Sequence, residues 1–496
     1  MPPRTAAAAS RNGSRRLVRL AVVSSGAFLA PFDAGAVAVA LPSISDSLHL
    51  DYSQALWVAT LYLVVVACLL MPLGRSADRR GRRSHYAAGL GLFCAGCLFA
   101  GFAPGMWWLL AARCCQGLGG ALIVTTSAAL AVETVPPSRR GRALGVNTMC
   151  VYLGAATGPP LGGLLVVALG WRALFFFSAA VAVLALVALA VTPTAGDRVR
   201  RAPPATRVPV VGALLLAVAL AGSLVPLTFG PVWGWGSWAV ALSLQAAGAA
   251  LVMLVLHERW SARPLIEPQL YRGNRMFVTA CTSALLTYVA VYAVSLLTSI
   301  YLQLVEGLGA GAAGSILLVQ PVMMATLAPF AGRLYDRLGS RGLTTAGALL
   351  MALGTLILAA MPQQGGWPRA LVGLALVGLG LALFSTPNIS AVLGSVASAR
   401  LSAASAVLGT SRFVGQALSI GLLGAIAAAQ LGSSGADTLT ARITTTGSAS
   451  AFLAGYAWAM TAGAGMAVAA AVVSASRGRQ GQAGERRPDG GPVGGG

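Results

Sequence analysis

Gly74-Arg-Ser-Ala-Asp78-Arg79-Arg-Gly81-Arg82-Arg83 returns later in the chain as Gly332-Arg-Leu-Tyr-Asp336-Arg337-Leu-Gly339-Ser-Arg341, with six of ten positions matching. In both copies an apolar stretch of helical, membrane-crossing length runs into the loop and another leaves it. Glycine permits a tight turn, and the aspartate can pair with neighbouring arginines or face a helix N-terminus. A loop that was merely basic would explain the arginines, but not Gly, Asp and Gly at a fixed spacing. Both copies leave the membrane on the same side, so the flanking blocks read as parallel repeats related by an axis along the membrane normal.

Outward from these loops the chain is built for lipid. Of its 496 residues, 57% are hydrophobic and 9% charged, and the mean hydropathy is +0.77, far from the averages of soluble domains. Hydropathy and Gly/Pro punctuation place six spans near 17–42, 55–73, 85–103, 107–131, 143–169 and 171–192. Two follow near 208–229 and 235–256, and six more near 276–302, 312–331, 342–361, 367–390, 404–429 and 451–473. The expected fold class is an all-α membrane protein of 14 helices: two six-helix bundles, 17–192 and 258–475, with two inserted helices in 193–257. Residues 1–16 and 476–496 read as tails, the second Gly-rich and expected to be disordered. The N-terminus resembles a secretory signal, but its apolar stretch runs on to Leu41 and contains Asp33, so it is expected to stay as a first span.

Arginine placement tests the count. The first tail with the entry of span 1 (Arg19), the even-numbered connections and the last tail hold 29 of the 34 arginines, whereas the odd-numbered connections hold only Arg172, Arg369 and Arg442. A wrong span count would scramble this alternation, so both termini are expected in the cytoplasm of a cell bounded by this inner membrane. The net charge of +21 is thereby assigned to loops beside lipid and not to a nucleic-acid surface. All 34 basic residues are arginine, which excludes the P-loop lysine of an ATP-driven pump and a Schiff-base lysine. The seven cysteines all fall in apolar stretches, and Cys94-x-x-Cys97 has no second pair or His cluster beside it, so they read as packing groups and no metal is expected. His49, His85 and His257 are scattered, no loop is long enough for a domain, and the chain is not expected to be an enzyme or receptor.

Three spans carry polar or glycine motifs. Span 1 has Asp33-Ala-Gly35-Ala-Val-Ala38-Val-Ala-Leu41-Pro42. Span 4 has Arg113-Cys-Cys-Gln116-Gly117, and a guanidinium inside a span costs several kcal/mol unless it is paired or hydrated, so it usually faces a cavity; at about 9 Å from the start of the span an interfacial structural role stays open. Span 5 has Gly154-Ala-Ala-Thr-Gly158-Pro159-Pro160-Leu-Gly162-Gly163, where spacing by four puts glycines on one face for close helix crossing and prolines interrupt the ladder. With the repeated loop, these stretches resemble the major facilitator superfamily, specifically its fourteen-span drug:proton antiporters, over roughly residues 17–473. Gly35 stands where that family usually has Thr, and Ala38 lies in a customarily Asn-containing stretch.

The resemblance implies roles. The loop residues Gly74, Asp78, Arg79, Gly81, Arg82, Asp336 and Arg337 would form a conformational latch, and Gly154, Gly158, Pro159, Gly162 and Gly163 an antiport hinge. Asp33, Arg113 and Gln116 would couple protons to substrate, with Asp33 the one acid placed well inside a span, about 24 Å along the helix from Leu17. Enclosure favours a neutral carboxyl, whereas water or a cationic cargo favours the carboxylate, so protonation and cargo binding can compete under alternating access. Gln320, Arg412, Tyr62, Tyr152, Tyr288 and Tyr292 are candidate cavity residues; for Arg412 a cavity role and snorkelling stay open. Glu306 reads as a loop charge and Glu133 as a partner of Arg139 or Arg142. Span 10 has no acid, so neutral, monocationic or zwitterionic cargo is expected over dications. The expected function is export of drugs, antibiotics or related amphipathic molecules by a monomer, with small-molecule substrate, protons and lipid as partners, and the proton motive force in place of a cofactor. An exporter or importer of an endogenous metabolite or lipid is the alternative.

Overall fold

A computed structural model describes residues 4–134, 140–192, 210–261, 268–396, 401–429 and 448–477. The described residues are helical throughout apart from turns and contain no strand. The first block comprises α1 (Arg4–Leu48), α2 (Tyr52–Arg80), α3 (Arg82–Gly101), α4 (Met106–Glu133), α5 (Arg140–Leu169) and α6 (Arg172–Val191). Then come α7 (Val210–Trp233) and α8 (Trp238–Trp260), and a short turn of helix, α9 (Pro268–Tyr271). The last block comprises α10 (Arg275–Ile300), a π-helical turn at Tyr301–Val305, α11 (Ala310–Leu317), α12 (Val319–Ala359), α13 (Trp367–Gly394), α14 (Leu401–Ala428) and α15 (Ser448–Ala475).

Among the described residues, thirteen segments are long and apolar enough to cross a membrane, and Val211–Leu227 in α7 is a shorter apolar stretch. Two differences from the expected spans have local causes. The first helix begins at Arg4, since nothing in the polar N-terminal stretch forbids helix before the apolar run starts. The tenth and eleventh spans are joined, because helix continues through the second loop copy and is interrupted only at Gly339, where φ is 71°. Gly81, the corresponding glycine of the first copy, has φ 102° and separates α2 from α3. The sequence repeat is therefore also a backbone repeat, with the chain turning at the same glycine of each copy; a side chain is strained at such φ values.

Local chemistry fixes other ends. Asp51 and Gln54 form a reciprocal capping box at the start of α2, with Gln54 N donating to Asp51 Oδ1 at 2.7 Å and Asp51 N to Gln54 Oε1 at 3.1 Å. Asn274 accepts from Phe277 N at 3.0 Å to start α10, and its Nδ2 donates to Ser395 O beyond α13 at 2.8 Å.

Within the first half α5 lies along α1, and α14 lies along α10 in the second. The inserted α7 packs on α2 and α14 and so touches both halves, while α8 covers α7. Leu251, Val252, Met253 and Val255 of α8 are exposed, as a lipid-facing helix requires. Exposed Trp107, Trp233, Trp238, Trp260 and Trp367 stand at helix ends, the level of the membrane interface. Inside, the cores of both halves form one continuous apolar cluster.

Candidate functional site

At the middle of the first half, α1 brings Asp33 against Arg113 of α4. Arg113 Nη1 lies 2.5 Å from Asp33 Oδ2, and the two side chains are 1% and 0% exposed. Arg113 is held at two further points: its Nε donates to Val58 O of α2 at 2.8 Å and its Nη1 also donates to Gln116 Oε1 at 2.8 Å. Gln116 in turn donates through Nε2 to Cys97 Sγ of α3 at 3.0 Å. The guanidinium carbon stands 4.9 Å from the centroid of the Tyr62 ring, a cation–π contact. Two buried oxygens here lack a hydrogen-bond partner, Asp33 Oδ1 and Tyr62 Oη. Tyr292 of α10 is within electrostatic reach of Asp33 and Arg113, so the pair faces the second half.

Unpaired, either charge would be expensive at this depth; paired and hydrogen-bonded, the couple is tolerated, and removing one member leaves an uncompensated charge. The carboxylate retains one open acceptor. Chemically, the arrangement can take a proton on Asp33 Oδ1 at the expense of the ion pair.

The span-5 motif forms the adjoining wall. A Cβ on Gly154 would stand 2.2 Å from Phe28 O, on Gly158 2.7 Å from Phe32 O, and on Gly162 2.7 Å from Ala36 Cα. These glycines seat α5 directly on the α1 backbone, one turn either side of Asp33. Gly35 has its own reason: a Cβ there would stand 2.9 Å from Pro159 Cδ, so glycine in place of the family's threonine lets α1 close on the proline. Gly163 and the carbonyl of Pro159 look the other way. A Cβ on Gly163 would meet Ala310 O at 2.3 Å, and one on Gly314 would meet Pro159 O at 2.3 Å, so α5 and α11 touch backbone to backbone across the two halves. Close by, Gln303 Nε2 of the π turn donates to Val39 O of α1 at 3.0 Å. This end of the bundle, opposite the repeated loops, is shut.

At the loop end only Gly81 occupies the predicted turn; Gly74 stays helical inside α2, which continues to Arg80, and faces the Thr125 side chain, while the side chains of Asp78, Arg79, Asp336 and Arg337 lie outside the described residues. Arg82 Nη1 pairs with Glu133 Oε1 at 2.6 Å. Glu133 was expected to pair with Arg139 or Arg142, whose side chains are outside the described residues; the partner found is on α3, which lies beside α4. Arg83 Nη2 donates to Leu189 O at 2.6 Å and Thr192 O at 3.1 Å, capping α6.

The candidate cavity residues divide. Tyr62 and Tyr292 belong to the Asp33–Arg113 site. Gln320 is buried and accepts from Ser295 Oγ at 2.7 Å. Arg412 stacks over Tyr288 at 5.0 Å, its Nε buried without a partner, and Tyr152 of α5 lies within electrostatic reach of both. Arg412 is thus partly buried and lines an internal space.

Three features escaped sequence reading. Cys97 was read as packing, yet it is the acceptor that orients Gln116; nothing in its apolar neighbourhood signals this. Glu306 is more than a loop charge, because it accepts from Tyr301 Oη at 2.6 Å and from the N–H groups of Gly365 and Gly366 at 3.1 and 2.6 Å, holding the turn before α13. Arg477 was counted as a tail charge but is 1% exposed, donating to Ser283 and Asn388, and burial pushes it down to about 10. All seven cysteines are free, and no group of three or more His, Cys, Asp or Glu side chains that could hold a metal occurs among the described residues.

Comparison with known proteins follows the same lines. The family model described as Major Facilitator Superfamily matches residues 23–420. The multidrug resistance protein Stp of Mycobacterium tuberculosis is 32% identical over 419 residues, 84% of this chain and 76% of its own. The tetracenomycin C resistance and export protein of Streptomyces glaucescens is 29% identical, over 83% of this chain and 76% of its own. A riboflavin transporter of Clostridioides difficile is 25% identical, over 77% and 82% respectively. Among solved structures, a POT family transporter in complex with a thioalcohol-conjugated peptide superposes with a TM-score of 0.67 at 16% identity, covering 92% of this chain and 94% of the other.

Proposed function

The chain belongs to the major facilitator superfamily, as a multi-pass membrane transporter of small molecules and not an enzyme, and from that premise we propose that it is a proton-coupled antiporter. It exports drugs, antibiotics or related amphipathic molecules across the cytoplasmic membrane by alternating access, acting as a monomer with both termini in the cytoplasm. The observation that carries this reading is the buried Asp33–Arg113 pair with its one unpartnered carboxylate oxygen. The resistance and export proteins among its relatives support the direction of transport and the class of cargo.

In the proposed cycle a proton arriving from outside binds Asp33 Oδ1. The neutral carboxyl then holds Arg113 less strongly, and the guanidinium remains on Val58 O and Gln116. Breaking a buried pair is worth about 3–5 kcal/mol, comparable to the free energy that shifts a two-state equilibrium from one side to the other. Protonation thus biases α1 against α4, and through the glycine seam between α1 and α5 it biases the contact between α5 and α11. The repeated loops act as the latch at the other end, and release of the proton inside resets the pair.

Inverted membrane vesicles test the reading. Addition of an exported drug should dissipate an imposed pH gradient in vesicles with the native chain and leave it intact with correctly inserted Asp33→Asn. Drug-driven dissipation of equal size in both would reject Asp33 as the coupling site. Uphill transport that persists after a protonophore collapses the gradient would reject proton antiport. The similarity to a riboflavin transporter favours, as the second reading, transport of an endogenous metabolite by the same machinery.

A further inference from the structure

The charges inside the two halves do not balance, and Arg412, unlike the fully buried Arg113, is partly buried. In the first half Arg113 is neutralised by Asp33. In the second half Arg412, nine residues beyond the start of the candidate span Ala403–Ala428, has no acid and no hydrogen bond among the described residues, only the face of Tyr288. A guanidinium about 14 Å along a membrane-spanning helix is costly unless something answers its charge.

The space beside it has the complementary chemistry. A cavity of about 10 Å³, room for about one water, is lined by Arg412, Tyr288, Ser385 and Asn388 together with apolar side chains of α10, α13 and α14. Ser385 is 7% exposed, and its Oγ, like Arg412 Nε, is buried with no partner. Asn388 Oδ1 is already taken by Arg477, and Asn388 Nδ2 donates to Ala280 O at 3.2 Å. The unmet groups are thus an arginine donor and a hydroxyl, a set that suits a small anionic group. Tyr152 of α5, in the first half, is within electrostatic reach of Arg412 and Tyr288, which places the site beside the interface between the halves.

We propose that Arg412, with Ser385 and the ring of Tyr288, is the binding site for an anionic group of the cargo, a carboxylate or acidic phenol on an otherwise apolar, aromatic molecule. This inference rests on the transporter reading above and gives that cargo an anionic group, which of the neutral, monocationic or zwitterionic molecules expected from the missing acid of span 10 only the zwitterion carries. In the conformation described the site is closed down to water size; parting of the halves at Tyr152 admits the anion, which replaces the ring as the guanidinium's partner.

The test uses two dyes on one xanthene scaffold, anionic fluorescein and cationic rhodamine 123, titrated by fluorescence anisotropy against the full-length protein in lipid nanodiscs. Fluorescein should bind the native protein and lose about tenfold or more in affinity in Arg412→Gln, as expected for a charge-assisted hydrogen bond. Arg412→Lys should retain part of that affinity, and rhodamine 123 should bind Arg412→Gln at least as well as native. Monodisperse elution and rhodamine binding of the variants control for folding. Absence of fluorescein binding, equal affinity in native and Arg412→Gln, or preference of the native protein for rhodamine would each overturn the proposal. Uptake of both dyes into inverted vesicles separates the two readings: fluorescein bound through Arg412 but never transported contradicts the exporter and leaves the site standing. Rhodamine exported while fluorescein is ignored does the reverse.

Discussion

Asp33 and Arg113 are each visible in the sequence as a charge inside an apolar helix. That they meet is not, because 80 residues separate them and no local periodicity reports on the packing of α1 against α4. Gln116, three residues along from Arg113, shares its helix face, and that much follows from spacing. The pair makes a sharp stability prediction. Arg113→Gln alone strands a buried carboxylate and should cost about 3–5 kcal/mol, seen as a lowered thermal unfolding midpoint in detergent. The double variant Asp33→Asn/Arg113→Gln, with two neutral polar side chains, should recover most of that loss and still fail to drive proton-coupled transport. If the double variant is no more stable than Arg113→Gln, the pair is not what holds these residues. Gly35 shows the opposite kind of legibility. Its departure from the family's threonine is plain in the sequence, and its reason emerges only once Pro159 is packed against it.

At the level of helices, hydropathy recovers the elements because each must satisfy its backbone inside lipid, and that constraint leaves a long apolar run for each span. Its failures fall where lipid does not decide. The continuation of α12 through the second loop copy to Gly339 is set by turn geometry and not by hydropathy, and Leu318 between α11 and α12 keeps helical φ and ψ with its N–H on Gly314 O. The glycines of α5 were readable as a close-packing face, but not which partner each one meets. Gly154, Gly158 and Gly162 lie on α1, whereas Gly163 lies on the backbone of α11 in the other half. Substitutions should therefore separate. Gly163→Ala puts a methyl where Ala310 O stands and should force apart the closed end without unfolding either half. Spin labels at exposed Leu169 and Ala312, in a chain freed of its native cysteines, should report a distance distribution shifted to longer values. An unchanged distribution would mean that the α5–α11 contact does not set the closed state.

For the molecule as a whole, the repeated loop and the arginine alternation together specify two parallel halves with an even number of spans between the termini. The structure reproduces that repeat down to the positive φ of Gly81 and Gly339. The position of the inserted α7, touching α2 and α14, was beyond sequence reasoning, since an apolar helix can be sited anywhere around a bundle. The sidedness inferred from arginine predicts that a fluorescent-protein fusion after Gly496 glows and an alkaline phosphatase fusion there is inactive, while fusions in the connection between α1 and α2 behave oppositely. The reverse pattern would invert the assigned direction of transport.

The central claim is that a proton on Asp33 and cargo binding are linked through the ion pair, and it is tested most directly by proton release on binding. Purified protein in weakly buffered detergent solution, with a pH-sensitive dye, receives a saturating dose of an exported drug. The native protein should release protons as the drug binds, and Asp33→Asn, shown to bind the same drug, should release none. Drug binding without proton release in the native protein, or the same release from Asp33→Asn, would contradict the account.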